Sequence, residues 1–132
     1  MAPNDLVDAA RAVRANAYAP YSVYSVGAAV RGADGVIYSG CNVENVSFGL
    51  CMCAERVAIG KMVSAGCRRI REVAVVTRDS GSPCGMCRQT LAEFTDEPER
   101  VVIWLVGEDG TERTFTLAEL IPATFRAALG QD

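Results

Sequence analysis

The sequence predicts an α/β fold: a three-layer α/β/α sandwich built around a mixed five-stranded sheet. Three observations predict it. Two short, nearly continuous apolar runs, "EVAVVT" (72–77) and "RVVIWLV" (100–106), suit strands covered on both faces by helices. Two further apolar runs are joined at "GADG" (32–35), where Asp34-Gly35 is a strong hairpin signal. Around them, apolar residues recur at helical spacing, so helices and strands alternate in a layered order.

The elements follow in turn. Asn4 or Asp5 can cap a first helix in which Leu6, Val7, Ala10, Val13 and Ala17 share a face, ending before Pro20. The hairpin occupies positions 24 to 43. From Cys53 to Ala65 the apolar positions Val57, Ala58, Met62 and Val63 return to helical spacing, and Gly66 stands where a helix stops. After the first buried strand, Ser82 as N-cap and Pro83 at the first helical position predict a helix that packs Leu91 and Phe94 inward. The second buried strand is followed by a turn at "GEDGT" (107–111), a short strand to Phe115, and a last helical stretch from Leu117 towards Leu129. No repeat or linker interrupts the chain, and residues 1–132 are expected to form a single domain.

Composition narrows the function. Half of the residues are apolar, enough for a real core. The 13 Lys and Arg are outnumbered by 16 Asp and Glu, and no basic run is available to track a phosphate backbone. This argues against a nucleic-acid or anionic-membrane partner. Asp5 and Asp8 fall where a signal peptide needs an apolar stretch, and no segment approaches the ~18 apolar residues of a membrane span. A cytoplasmic location is therefore expected, with the six cysteines reduced.

The chemistry concentrates in "CMCAER" (51–56) and "SPCGMC" (82–87). Cys53, Cys84 and Cys87 form C-x-E-R followed about thirty residues later by P-C-x-x-C. Thiolates are ordinary zinc ligands, and three protein ligands leave a fourth position open for water. Placing the cysteines at two helix starts favours thiolate over thiol. Three thiolates on one Zn²⁺ leave an excess negative charge, which Arg56 is placed to compensate by donating to ligand sulfur. Glu55, two residues beyond Cys53, can enter the site without reaching the metal and carry a proton between water and substrate. Two other readings compete. Cys84 and Cys87 alone permit a redox C-x-x-C, which leaves Cys53, Glu55 and Arg56 unexplained. Spacing alone also permits Cys51 as a fourth ligand, closing a structural zinc site that does no chemistry. Cys41, Cys51 and Cys67 are expected to be core or near-site thiols with no chemical role.

The segments "APYSVYSVGAAV", "GCNVENVSFGLCMCAER", "SPCGMCRQ" and "ELIPATF" together resemble, in order and over nearly the whole chain, the small zinc-dependent cytidine deaminases. The resemblance implies one Zn²⁺ per subunit on Cys53, Cys84 and Cys87. It implies that Glu55 shuttles protons while a zinc-activated water attacks C4 of a pyrimidine nucleoside, releasing ammonia and uridine. It further implies that Asn42 and Glu44 hold the ribose hydroxyls, that Tyr24 and Ala54 line the nucleoside pocket, and that Phe125 stacks on the pyrimidine from a neighbouring subunit of a homotetramer. The chain has no histidine, whereas relatives acting on nucleotides or polynucleotides commonly use H-x-E, so the free-nucleoside branch of pyrimidine salvage is implied. Three positions depart from the family pattern: Tyr24 where phenylalanine is usual, Phe48 where tyrosine is usual, and Met86 at a site usually small. These keep open a deaminase for another aminopyrimidine nucleoside, such as a nucleoside antibiotic.

Overall fold

The structure, a computed structural model, describes residues 1–126. In chain order it contains α1 (Asn4–Arg14), β1 (Gly27–Gly32), β2 (Ile37–Cys41), α2 (Ala54–Ser64), β3 (Ile70–Val76), α3 (Gly85–Glu93), β4 (Val102–Val106), β5 (Glu112–Thr116) and α4 (Leu117–Leu120). A single 3₁₀ turn spans Phe48–Leu50. The strands form one sheet in the order β2-β1-β3-β4-β5. Only the β3–β4 pair is parallel; the other pairs are antiparallel, so the sheet is mixed as the sequence predicts.

Side-chain alternation along the strands sorts the core into two layers. On one face Val73 and Val75 of β3 join Ala28, Val30, Ile103 and Leu105 and pack against Ala54, Ala58, Ile59 and Met62 of α2 and Leu91 of α3. On the other face Ala74 and Val76 join Ala29 and Val106 beneath Leu6 and Ala10 of α1. This is the expected three-layer sandwich, and the continuous apolar run of β3 follows from its burial on both sides.

Two close approaches set the helices on the sheet. A Cβ built at Gly27 falls 2.0 Å from the Ala10 carbonyl oxygen, so α1 lies almost on the backbone of β1. A Cβ at Gly40 falls 2.6 Å from the Ala58 nitrogen and 2.8 Å from the Ala54 carbonyl oxygen. The first turn of α2 therefore rests on β2, and the strand end fixes where that helix begins.

Helix ends differ from expectation for local reasons. α1 stops at Arg14 because the chain beyond it becomes extended: the Tyr18 amide donates to the Asn42 carbonyl and Tyr18 bridges Val43. Pro3 occupies the cap position, while the Asp5 carboxylate pairs with Arg31. α3 starts two residues later than Pro83, with Cys84 as its cap; the Ser82 hydroxyl accepts from Arg88. α4 is one turn, opened by a capping box between Thr116 and Glu119 and closed before Pro122. The far end of the helix expected towards Leu129 lies outside the described residues.

Candidate active site

Cys53 is the cap residue of α2 and Cys84 the cap residue of α3, each with extended backbone, and Cys87 is buried in the first turn of α3. The three sulfurs lie within 4.8 Å of one another. Cys53 Sγ and Cys84 Sγ are 3.8 Å apart. Two sulfurs at ~2.3 Å from a zinc ion and a tetrahedral angle apart are separated by about 3.8 Å, so the donor set fits the metal as it stands. All six cysteines are free thiols.

Cys51 does not join them. Its sulfur accepts from the Asn45 amide at 3.3 Å and lies outside the three-sulfur group. The geometry thus agrees with Cys51 as a bystander and not with a closed four-cysteine site: its sulfur faces Asn45 in the preceding loop. The group is anionic in character. A hydrogen bond from Cys87 draws the Cys53 thiol down to about 5, aided by the Arg56 guanidinium and opposed by burial. The same bond, with burial, pushes Cys87 up.

Arg56 donates from one terminal nitrogen to the Cys51 carbonyl oxygen at 3.0 Å and to Cys53 Sγ at 3.7 Å. Its Nε is buried without a partner, a cost accepted where the guanidinium faces thiolate charge. Glu55, in the first turn of α2, is only 4% exposed. Burial raises its carboxyl to about 7, with the Cys53 thiolate adding to the effect. A carboxyl poised there can both accept and return a proton near neutral pH.

Cys53, Glu55 and Cys84 lie in a cavity of about 680 Å³, of ordinary size for a small-molecule site. Tyr24, Asn42, Glu44 and Ala54 also line it, so the structure brings these predicted residues together. Asn42 follows the end of β2, and its carboxamide bonds both the Val26 amide and the Tyr24 carbonyl. Glu44 accepts from the Tyr21 and Ser22 amides at 2.9 and 3.1 Å and from the Ser22 hydroxyl. Phe48 and Met86 stand exposed at the rim, which accommodates the bulk of Met86 without displacing a sulfur. Phe125 does not line the cavity; its side chain is 77% exposed. Thr77 and Gly81, in the loop after β3, line the cavity beside Tyr24, and nothing in "TRDSG" beyond its turn composition announces them.

A cavity lined by Cys53 and Cys84 at two helix starts, whose sulfurs converge with that of the buried Cys87 near a buried carboxyl, defines a protein of the thiolate-zinc hydrolase class. Residues 2–105 match the model of the cytidine and deoxycytidylate deaminase zinc-binding region. The chain belongs to that family. It is 42% identical to a cytidine deaminase of Sporosarcina psychrophila over 91% of this chain and 88% of that protein. A cytidine deaminase of Halalkalibacterium halodurans is 41% identical over 92% of each chain. The crystal structure of cytidine deaminase from Burkholderia pseudomallei superposes with a TM-score of 0.86 at 42% identity, covering 95% of this chain and all of that one.

Proposed function

We propose that the protein hydrolyses cytidine and 2'-deoxycytidine to uridine and 2'-deoxyuridine plus ammonia, acting as a single deaminase domain over residues 1–132. The observation that carries this reading is the buried Glu55 carboxyl in a nucleoside-sized cavity with Cys53 and Cys84, whose sulfurs lie close to each other and to that of the buried Cys87. Zinc, one ion per chain on Cys53, Cys84 and Cys87, supplies when bound a water acidic enough to act as nucleophile near neutral pH. Glu55 takes the two protons that the water gives up in turn, handing one to N3 of the pyrimidine and the other to the departing amine. The C4–N bond breaks, a C4 carbonyl forms, and ammonia carries the second proton away. Arg56 offsets the excess charge of three thiolates and keeps Cys53 ionised.

Substrate positioning falls to the cavity wall. A carboxylate offers about four lone-pair sites, and Glu44 uses three of them on residues 21 and 22, leaving one for a ribose hydroxyl. Asn42 retains one donor and one acceptor beyond its bonds to Tyr24 and Val26. Held in place by the chain they brace, both groups are preorganised for the sugar, and free cytosine would leave them unpaired. Tyr24 and Ala54 enclose the base.

Phe125 serves the active site of a neighbouring copy in a homotetramer. Its exposure, together with that of Val46, Phe48, Leu50 and Met86, supports an apolar surface that is covered on assembly. No helix among the described residues is long and apolar enough to cross a membrane, which accords with work on a free nucleoside in cytoplasmic pyrimidine salvage. Cytidine-dependent ammonia release, measured alongside zinc content, tests the reaction. Stoichiometric zinc without turnover of either nucleoside would overturn it. Comparing Phe125→Ala with a dissociated form tests the shared site, and full activity in a monomer would contradict it.

A further inference from the structure

The Tyr24 hydroxyl, the atom by which this position departs from phenylalanine, donates to Asp79 Oδ1 at 2.6 Å, linking positions 55 residues apart. Asp79 lies in the loop after β3 and does not itself line the cavity. Its carboxylate also faces the buried Thr77 hydroxyl at 3.4 Å, which in turn accepts from the Gly81 amide at 2.7 Å. Every proton in this chain has one direction, from Gly81 to Thr77 to Asp79 and from Tyr24 to Asp79. The site is fitted to the hydroxyl: a Cβ at Gly81 would fall 2.3 Å from the Tyr24 oxygen. The Arg78 guanidinium lies 4.9 Å from the centre of the Tyr24 ring.

The segment that carries Tyr24 needs such anchoring. Val23, a β-branched residue, sits in the left-handed region at φ 55°. Such a conformation persists only where its surroundings hold it. Glu44 holds the amides before Val23, the Ser22 hydroxyl accepts from the Tyr24 amide, and Asp79 holds the side chain after it.

We infer that Asp79 is a positioning residue for nucleoside binding: through Tyr24 it latches the wall formed by residues 21–25 to the loop after β3 before the ligand arrives. The inference rests on the proposed function for the identity of the ligand. Because Asp79 takes the hydroxyl, Tyr24 presents its ring to the base and behaves there as a phenylalanine. The hydrogen bond also holds the Asp79 carboxyl below the usual carboxylate range.

The test compares Asp79→Ala, Asp79→Asn, Tyr24→Phe and the Tyr24→Phe/Asp79→Ala double variant in the zinc-loaded protein. Steady-state kinetics with cytidine and calorimetric binding of uridine are both measured. Releasing the ring adds the cost of ordering one side chain on binding, so KM and the uridine Kd rise about three- to tenfold in Asp79→Ala and Tyr24→Phe, with kcat within about twofold. The double variant is no weaker than the worse single variant, and Asp79→Asn, which keeps an acceptor, stays within about twofold of the native protein. Tyr24→Phe removes a single oxygen and reads the latch even where Asp79→Ala fails to fold. Unchanged KM and Kd, effects that multiply in the double variant, or an Asn variant as weak as Ala would each overturn the latch. Uridine binding that follows the expected pattern without turnover of cytidine sinks the deaminase reading alone. Absence of binding by either nucleoside sinks both.

Discussion

The sulfurs of Cys53 and Cys84, which are 31 positions apart in the chain, stand 3.8 Å from each other. Each belongs to the cap residue of its own helix, so two helix N-termini converge on one point and their unpaired amide groups favour negative charge there. Cys51, two residues away from Cys53, is held by Asn45 instead. Alanine at Cys53, Cys84 or Cys87 should abolish tight zinc binding, whereas Cys51→Ala should retain it. Metal content after gel filtration against a weak chelator distinguishes these. Zinc lost from Cys51→Ala alone would restore the closed-site reading.

Gly40 transmits the sheet to the active site. With no side chain it allows Ala54 and Ala58 of α2 to sit on the backbone of β2, and a methyl group there would meet main-chain atoms that cannot swing aside. Gly40→Ala should therefore cost about 1–3 kcal/mol of stability, in the range of overpacked cores, and tilt the first turn that carries Cys53 and Glu55. Thermal unfolding checks the first effect and cytidine turnover the second. A variant with native stability and native turnover would mean that α2 is not seated by this contact.

The hairpin supplies a pH dependence whose sign follows from one bond. Tyr38 donates to Asp34 at 2.6 Å, and this bond, with burial, raises the Tyr38 phenol from 10.0 to about 12. Below pH 10 the phenol is protonated in both folded and unfolded chains, and its contribution to stability is fully present. Between pH 10 and about 12 the unfolded chain gives up the proton while the folded protein keeps it, so that contribution is lost as pH rises. Denaturant midpoints of the native protein should fall more steeply over this window than those of Tyr38→Phe. Parallel curves would contradict the assignment.

How much of this was legible in the sequence follows from the range of each signal. The continuous apolar runs of β3 and β4 and the Asp34-Gly35 turn are local, and they yielded the sandwich. The spacing around Cys53, Cys84 and Cys87 is chemically specific, and it yielded the three cysteines whose sulfurs converge. Helix ends were less legible because non-local contacts decide them: Tyr18 leaves helical geometry to pair with Asn42, and Ser82 serves Arg88 rather than capping α3. Cys51 was ambiguous because C-x-C spacing does not reveal which way a sulfur turns. The bond from Tyr24 to Asp79 was invisible, since its partners are brought together only by the loop after β3. Among the described residues no contact assigns Phe125 to the cavity.

The central claim is that Glu55 moves the proton at a site whose metal is held by cysteine alone. The most direct measurement is kcat for cytidine in zinc-loaded native protein and Glu55→Gln, with metal content determined on the same samples. Removal of a general acid–base group should lower kcat by about 10²–10⁴-fold while zinc stays stoichiometric. A Glu55→Gln protein that retains its zinc and still turns over cytidine at the native rate would contradict the account.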